Sequence, residues 1–214
     1  GVFILPGARR ATISASDLRA AAACEWAVLR EFDAVLGRAD RPPEAEDPLL
    51  ARTSALGLAH EQSVLRELSR DHPGRVAQIA RPPHTAAGIA AAAASTAAAL
   101  AADVDVIYQA AFTDDRFLGF ADFVVRDDAR RWQVWDTKLA RTESVASLLQ
   151  LALYAERLRA HDVPVAPTAV LILGNGDRRE FPLDVIVPVA VARRDRLLEL
   201  LDGHQDGGMA AQWG

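Results

Sequence analysis

Two neighbouring apolar segments, Leu118-Gly-Phe-Ala-Asp-Phe-Val-Val125 and Trp132-Gln-Val-Trp-Asp-Thr-Lys138, decide the fold and carry three charges where apolar residues are expected. Their β-branched and aromatic content predicts two strands. Asp122 interrupts the first strand, and Asp136 and Lys138 share one face of the second because side chains alternate along a strand. A buried charge without a partner is costly, so three charges on adjacent strands require an explanation.

Two explanations fit these three residues. One is a partly solvated sheet face on which Asp122 and Asp136 flank Lys138, since structural ion pairs are common and contribute little. The other is a magnesium site, because hard divalent cations take oxygen ligands and keep several waters. Two carboxylates and the main-chain carbonyl of Thr137 would form a partial shell, and Lys138 would stabilise charge on a phosphate. The three residues alone do not decide between these explanations.

The pattern outside these strands predicts an α/β (α+β mixed) fold with a central mixed sheet. Strand-like segments at 104–112, 117–126 and 131–139 form an antiparallel meander. Periodic apolar residues and breakers predict helices over 14–32, 48–69, 84–102, 143–160 and 187–201, further strands over 76–79, 168–173 and 179–183, and a loop over 38–48. The apolar residues of the second helix expected to face the core are Leu50, Leu58, Val64, Leu65 and Leu68.

The length of 214 residues is within the usual range of one compact domain. We therefore expect a single domain over residues 1–214. Its parts are a helical N-terminal part (14–102), a catalytic core (103–201) and a mobile, glycine-rich tail (202–214).

Composition narrows the function classes. No apolar run approaches the roughly 18 residues of a membrane span, so no membrane is expected as a partner. The single cysteine, Cys24, cannot form an internal disulfide and fits a reducing, cytoplasmic setting. A net charge of −5 argues weakly against a protein that grips nucleic acid mainly through phosphates. Carboxylates that hold a metal ion contribute to that negative count, although the bound ion reverses the local field.

Two further features favour the metal site. Gln150 and Tyr154 lie four residues apart, on one face of the helix that follows Lys138. His60 lies on the second predicted helix, and an imidazole can complete a metal shell. Taken singly, the first feature is an ordinary half-buried pair and the second an ordinary surface or core histidine.

Four motifs in series resemble the RecB-like branch of the PD-(D/E)XK nucleases. They are Gly57-Leu-Ala-His60, Gly119-Phe-Ala-Asp122, Asp136-Thr-Lys138 and Gln150-Leu-Ala-Leu-Tyr154. The segments Ser16-Asp-Leu18, Asp105-Val-Ile-Tyr-Gln-Ala110 and Asp136-Thr-Lys-Leu-Ala-Arg141 are similar to a bacterial subfamily of RecB-like nucleases. The resemblance covers roughly residues 14–185, and in that subfamily the domain is often the N-terminal part of a longer chain.

The resemblance implies a restriction-endonuclease-like core and a metal-dependent deoxyribonuclease, active in repair, recombination or defence. His60, Asp122, Asp136 and the Thr137 carbonyl would hold Mg²⁺ or Mn²⁺. Lys138 would serve catalysis, and Gln150 and Tyr154 would support the site or the DNA backbone.

His60 is one residue closer to its glycine than in some relatives, and Glu61 follows it. Because neighbours on a helix are separated by about 100°, only one of the two can point at the metal. The expectation is His60, with Glu61 as the alternative.

Some relatives hold a [4Fe–4S] cluster with one N-terminal and three C-terminal cysteines. Cys24 resembles the first of these, but residues 164–214 contain no cysteine. We therefore expect no iron–sulfur cluster, since four thiolates are normally required, and we expect Cys24 to be a small buried residue.

Two other functions stay open. One is a non-catalytic relative that binds nucleic acid or a partner protein. The other is a domain of a larger repair or helicase protein whose nuclease acts only in that context. The substrate expected under the leading interpretation is single- or double-stranded DNA.

Overall fold

The computed structural model describes residues 1–5, 7–40, 47–83 and 85–212, and this part of the chain forms a mixed β-sheet with helices on both faces. The strands are β1 (Val76–Gln78), β2 (Val106–Thr113), β3 (Leu118–Arg126), β4 (Trp132–Lys138), β5 (Thr168–Leu173) and β6 (Arg178–Pro182). The helices are α1 (Ala15–Ala23), α2 (Glu25–Val35), α3 (Pro48–Asp71), α4 (Ala86–Ala101), α5 (Val145–Arg159) and α6 (Leu183–Gly207).

The strands lie in the sheet in the same order as in the chain. β2, β3 and β4 form the antiparallel meander that the sequence predicts, and β5 and β6 form a hairpin. β1 pairs parallel with β2, and β4 pairs parallel with β5. The predicted mixed sheet flanked by helices is therefore confirmed.

The two faces of the sheet support separate cores. One is covered by α3, through Val64, Leu65 and Leu68. The other is covered by α1, α2, α4, α5 and α6, and it holds most of the buried apolar side chains. No helix in the described ranges has an apolar stretch long enough to cross a lipid bilayer.

The first predicted helix is two helices, so the expectation of one continuous helix over 14–32 is wrong. Cys24 has an extended backbone (φ −162°, ψ 103°) and separates α1 from α2. The break allows α1 to pack on both α2 and α5 while α2 contacts α6. Cys24 is half-buried at this junction rather than fully buried as expected.

Only the second half of α3 packs as predicted. Val64, Leu65 and Leu68 are buried, whereas Leu50 and Leu58 are 64% and 55% exposed. Among the described residues, the first half of the helix leaves its apolar side chains exposed, so the amphipathic pattern there does not correspond to a packed face.

The last helix is longer than predicted. α6 runs from Leu183 to Gly207 and ends where Gly208 takes a left-handed backbone (φ 70°). The expected helix end at Leu201 is therefore wrong, and residues 202–207, assigned to the tail, are helical. Residues 41–46 of the predicted 38–48 loop and residues 213–214 of the tail lie outside the described residues. The predicted helix start at residue 84 also lies outside them, and α4 begins after Thr85, whose side chain accepts from the Gly88 N–H.

Candidate active site

The site begins where β3 and β4 separate. Their ladder runs from Arg126–Trp132 to Phe123–Trp135 and ends there, so Asp122 and Asp136 are the first residues beyond the last pair. Asp122 Oδ2 accepts from the backbone N–H of Thr137 at 2.9 Å and from its Oγ1 at 2.7 Å. The Asp122 carboxylate thus takes the place of a strand partner for Thr137. This holds Asp122 and Asp136 together at the point where β3 and β4 separate, which we call the fork.

Asp136 is a fully buried carboxyl with two side-chain partners. Gln150 Nε2 donates to Oδ1 at 3.1 Å, and Lys138 Nζ lies 2.5 Å from Oδ2. Burial raises the pKa of Asp136 to about 8; the neighbouring charge of Asp122 adds to the shift, and Lys138 opposes it. Asp136 therefore retains a proton at a pH at which an aspartate in water would lose it.

Glu61 is a third carboxylate at this site. Gln109 Nε2 donates to Glu61 Oε1 at 2.5 Å. Burial raises the pKa of Glu61, and the second contribution comes from the charge of Asp122. Both Glu61 and Asp122 line the same cleft, so α3 presents Glu61 to the fork.

In the described part of the chain, His60 makes no hydrogen bond or ion pair with Asp122 or Asp136. His60 is half-buried, and its Nε2 is buried with no hydrogen-bond partner among the described residues. It is not part of the cleft lining that includes Glu61 and Asp122. Of the two neighbours, Glu61, the alternative, is the one that lines the cleft with Asp122, and the choice of metal ligand between them stays a prediction.

Gly119 and Tyr154 explain why a glycine precedes Asp122. A Cβ at Gly119 would lie 2.5 Å from Tyr154 Cε1 and 3.0 Å from Phe117 Cζ. The buried Tyr154 ring occupies the space that a side chain at residue 119 would need. Burial raises the pKa of Tyr154 well above its usual value, and the charges of Asp136 and Asp122 add to this, so the phenol stays protonated.

A cleft of about 740 Å³ opens onto the fork. Its polar lining residues are Ser14, Ser16, Glu61, Arg81, Gln109, Asp122, Gln150 and Tyr154. Among the described residues on this lining, Arg81 is the only basic side chain. Asp136 and Lys138 are not on the lining; they connect to it through Gln150, which contacts Asp136.

The chemistry of the carboxylates fits a hard divalent cation. In the described ranges, no three His, Cys, Asp or Glu side chains are already grouped as a metal site. Each carboxylate faces a protein donor instead: Glu61 faces Gln109, Asp122 faces Thr137, and Asp136 faces Lys138 and Gln150. Asp136 Oδ2 is buried and, apart from the Lys138 ion pair, has no hydrogen-bond partner among the described residues. Carboxylate oxygens are the ligands that hard divalent cations prefer.

Sequence patterns did not identify two of these residues. Arg81 precedes two prolines, a pattern that indicates only a break between elements. Gln109 lies inside an apolar strand, and a polar residue opposite Asp122 is the signal that could have found it.

Comparison with known proteins agrees with the geometry. The family model described as the PD-(D/E)XK nuclease superfamily matches residues 26–203. This range includes the fork, α3 and α5. No curated protein matches the chain.

Proposed function

Because the chain belongs to the PD-(D/E)XK nuclease superfamily, we propose that it hydrolyses DNA phosphodiester bonds with a bound Mg²⁺ or Mn²⁺. The observation that supports this most directly is the meeting of Asp122 and Asp136 where β3 and β4 separate, with Lys138 paired to Asp136. The four motifs support the finer proposal of a RecB-like nuclease that acts in repair, recombination or defence.

We assign the metal ligands to Asp122, Asp136, the Thr137 carbonyl and Glu61. Glu61 replaces His60 in this set because it lines the cleft with Asp122. A divalent cation at this position lowers the pKa of a bound water and stabilises negative charge on a phosphate.

Three further side chains would orient a metal ligand or neutralise phosphate charge. Lys138 is 35% exposed, so its ammonium can leave Asp136 for a phosphate oxygen at the fork. Gln150 holds the Asp136 carboxyl by its amide. Arg81, on the same lining as Asp122, supplies a second positive charge for the DNA backbone.

The test uses labelled single- and double-stranded DNA with Mg²⁺ or Mn²⁺. We expect the wild type to cleave and both Asp136→Ala and Lys138→Ala to lose at least about 100-fold in rate, as removal of one stabilising group does. Asp128→Ala, an exposed aspartate in the β3–β4 turn, is the matched control and should cleave like the wild type. A wild type that binds DNA without cleaving it would instead support a non-catalytic or context-dependent module.

A second experiment tests whether Glu61 or His60 is the metal ligand on α3. We expect Glu61→Gln to weaken Mn²⁺ binding and His60→Gln to leave it unchanged, measured by isothermal titration calorimetry. The reverse result would restore His60 as the ligand.

A further inference from the structure

β2 contains a residue in an unusual backbone conformation. Gln109 has φ 57°, in the left-handed region that residues with a side chain rarely adopt. β1 stops pairing with β2 at Tyr108, and the ladder with β3 resumes at Ala110. The interruption therefore falls on Gln109, and its counterpart in β3 is Asp122. A strained residue at a functional site is a sign of a positional requirement.

The left-handed residue breaks the alternation of side chains. Tyr108 packs with the core under α3, whereas Ala110 packs with the core on the opposite face. In β3, Phe123 likewise packs in the core under α3, and Ala121 packs in the core on the opposite face. An unbroken strand would place residues two apart on one face, so both strands change face at the positions of Gln109 and Asp122.

The consequence is that two consecutive side chains reach α3. Gln62 Nε2 donates to the Tyr108 hydroxyl at 2.8 Å, and Gln109 Nε2 donates to Glu61 Oε1 at 2.5 Å. Regular alternation would direct Gln109 away from the helix that Tyr108 contacts. Glu61 also receives the Tyr108 hydroxyl as a hydrogen-bond donor, and the left-handed backbone adds the Gln109 amide beside it.

Glu61 needs such a donor because it is a flexible carboxylate beside the like charge of Asp122. Repulsion between them favours rotamers that turn Glu61 away from the fork. The Gln109 amide opposes this by holding Oε1 on the side of the cleft that Asp122 also lines.

We propose that Gln109 is a positioning residue, whose left-handed backbone aims its amide at Glu61 and fixes that carboxylate beside Asp122 for a divalent cation. This inference rests on the proposed function, because it names a residue that prepares the same metal site. Gln109 acts through Glu61 and contacts neither the metal nor the DNA.

The first test is Gln109→Gly, followed by Mn²⁺ titration calorimetry without DNA. We expect Mn²⁺ affinity to fall about 10–100-fold, the usual effect of losing a group that orients a metal ligand. The unfolding midpoint should stay or rise, since glycine adopts the left-handed conformation without a steric cost. Asp162→Gly, an exposed left-handed residue (φ 53°) outside the cleft, should leave Mn²⁺ affinity unchanged.

A second variant guards against misfolding. Gln109→Asn tolerates the left-handed backbone, but its amide is one methylene too short to reach Glu61 in the same way. We expect its Mn²⁺ affinity to fall as in Gln109→Gly.

The decisive measurement is a double-mutant cycle with Glu61→Gln. If Gln109 acts through Glu61, then Gln109→Gly costs no further Mn²⁺ affinity in the Glu61→Gln chain. Equal losses in both backgrounds, or wild-type affinity in Gln109→Gly, would overturn the positioning role while leaving the proposed function intact. A wild-type chain that binds no Mn²⁺ would overturn the proposed metal site and this role together.

Discussion

Asp136 shows how one buried carboxyl sets the pH behaviour of the metal-free site. It is fully buried beside a second aspartate, and its pKa is raised to about 8, first by burial and then by Asp122. Because the pKa in the folded protein exceeds that of the unfolded chain, the folded state binds the proton more tightly. The corresponding stability is fully present below the unfolded pKa of about 3.8 and is lost as pH rises towards 8.

We therefore predict that Asp136→Asn changes how stability depends on pH. Between pH 5 and 8, the free energy of unfolding of the wild type should fall relative to that of Asp136→Asn by up to about 1.4 kcal/mol per pH unit. The asparagine keeps the carbonyl that accepts from Gln150 but carries no charge. Urea unfolding in EDTA at several pH values measures the difference.

Asp128→Asn, in the exposed β3–β4 turn, is the control and should follow the wild-type profile. Parallel profiles for the wild type and Asp136→Asn would show that Asp136 is already ionised at neutral pH.

At this scale the sequence identifies Asp122, Asp136 and Lys138, because charges within apolar strands are conspicuous. The choice between His60 and Glu61 depends on the rotation of α3 about its axis, which packing of Val64, Leu65 and Leu68 determines. The left-handed backbone of Gln109 could not be predicted, since a backbone flip inside a strand leaves no trace in the residue pattern.

At the scale of elements, the approach of α5 to β3 depends on Gly119. We predict that Gly119→Ala destabilises the fold by about 1–3 kcal/mol, the usual cost of overpacking. The added Cβ would lie 2.5 Å from Tyr154 Cε1, so the Tyr154 ring must move, and a shift of α5 would carry Gln150 with it. DNA cleavage should fall, and chemical denaturation measures the stability change.

Gly203→Ala is the matched control, because a Cβ there meets nothing within 4 Å on the exposed side of α6. It should stabilise the helix by roughly 0.5–1 kcal/mol. Equal stability of the two alanine variants would show that Tyr154 moves aside freely.

The positions of the strands and the presence of each helix can be predicted from the sequence, because apolar periodicity and helix-breaking residues are local signals. Helix continuity cannot be predicted in this way. The break at Cys24 and the exposure of Leu50 and Leu58 depend on which other elements lie nearby. The apolar periodicity therefore predicts a first helix that continues past the end of α1, and a buried face over the first half of α3 that is exposed in the structure.

At the scale of the whole molecule, contacts from His204 and Ala211 to Asp33 connect the C-terminal end of the chain to α2. Asp33 is fully buried, with His204 Nε2 at 2.6 Å and the Ala211 N–H at 2.7 Å. Burial acts to raise the pKa of Asp33, but these two partners hold it below its usual value. The expected tail therefore contains contacts that neutralise a buried charge.

We predict that a chain ending at Leu201 is less stable by about 3–5 kcal/mol, because the Asp33 carboxylate would lose the two partners that offset the cost of burying it. Thermal unfolding measures the loss. Adding Asp33→Asn to the shortened chain should recover part of it, since the neutral amide is easier to bury. An unchanged melting temperature in the shortened chain would show that residues 202–212 contribute nothing to stability.

The strand order also bears on how the molecule is made. Because each strand pairs with the next one in the chain, every pairing can form soon after its second strand leaves the ribosome, and no later strand has to insert between two earlier ones. Short sequence separation between partners favours rapid folding. The cleft is nevertheless lined by residues of α3, the meander and α5. During synthesis the sheet therefore begins to form well before all the residues of the candidate active site have left the ribosome.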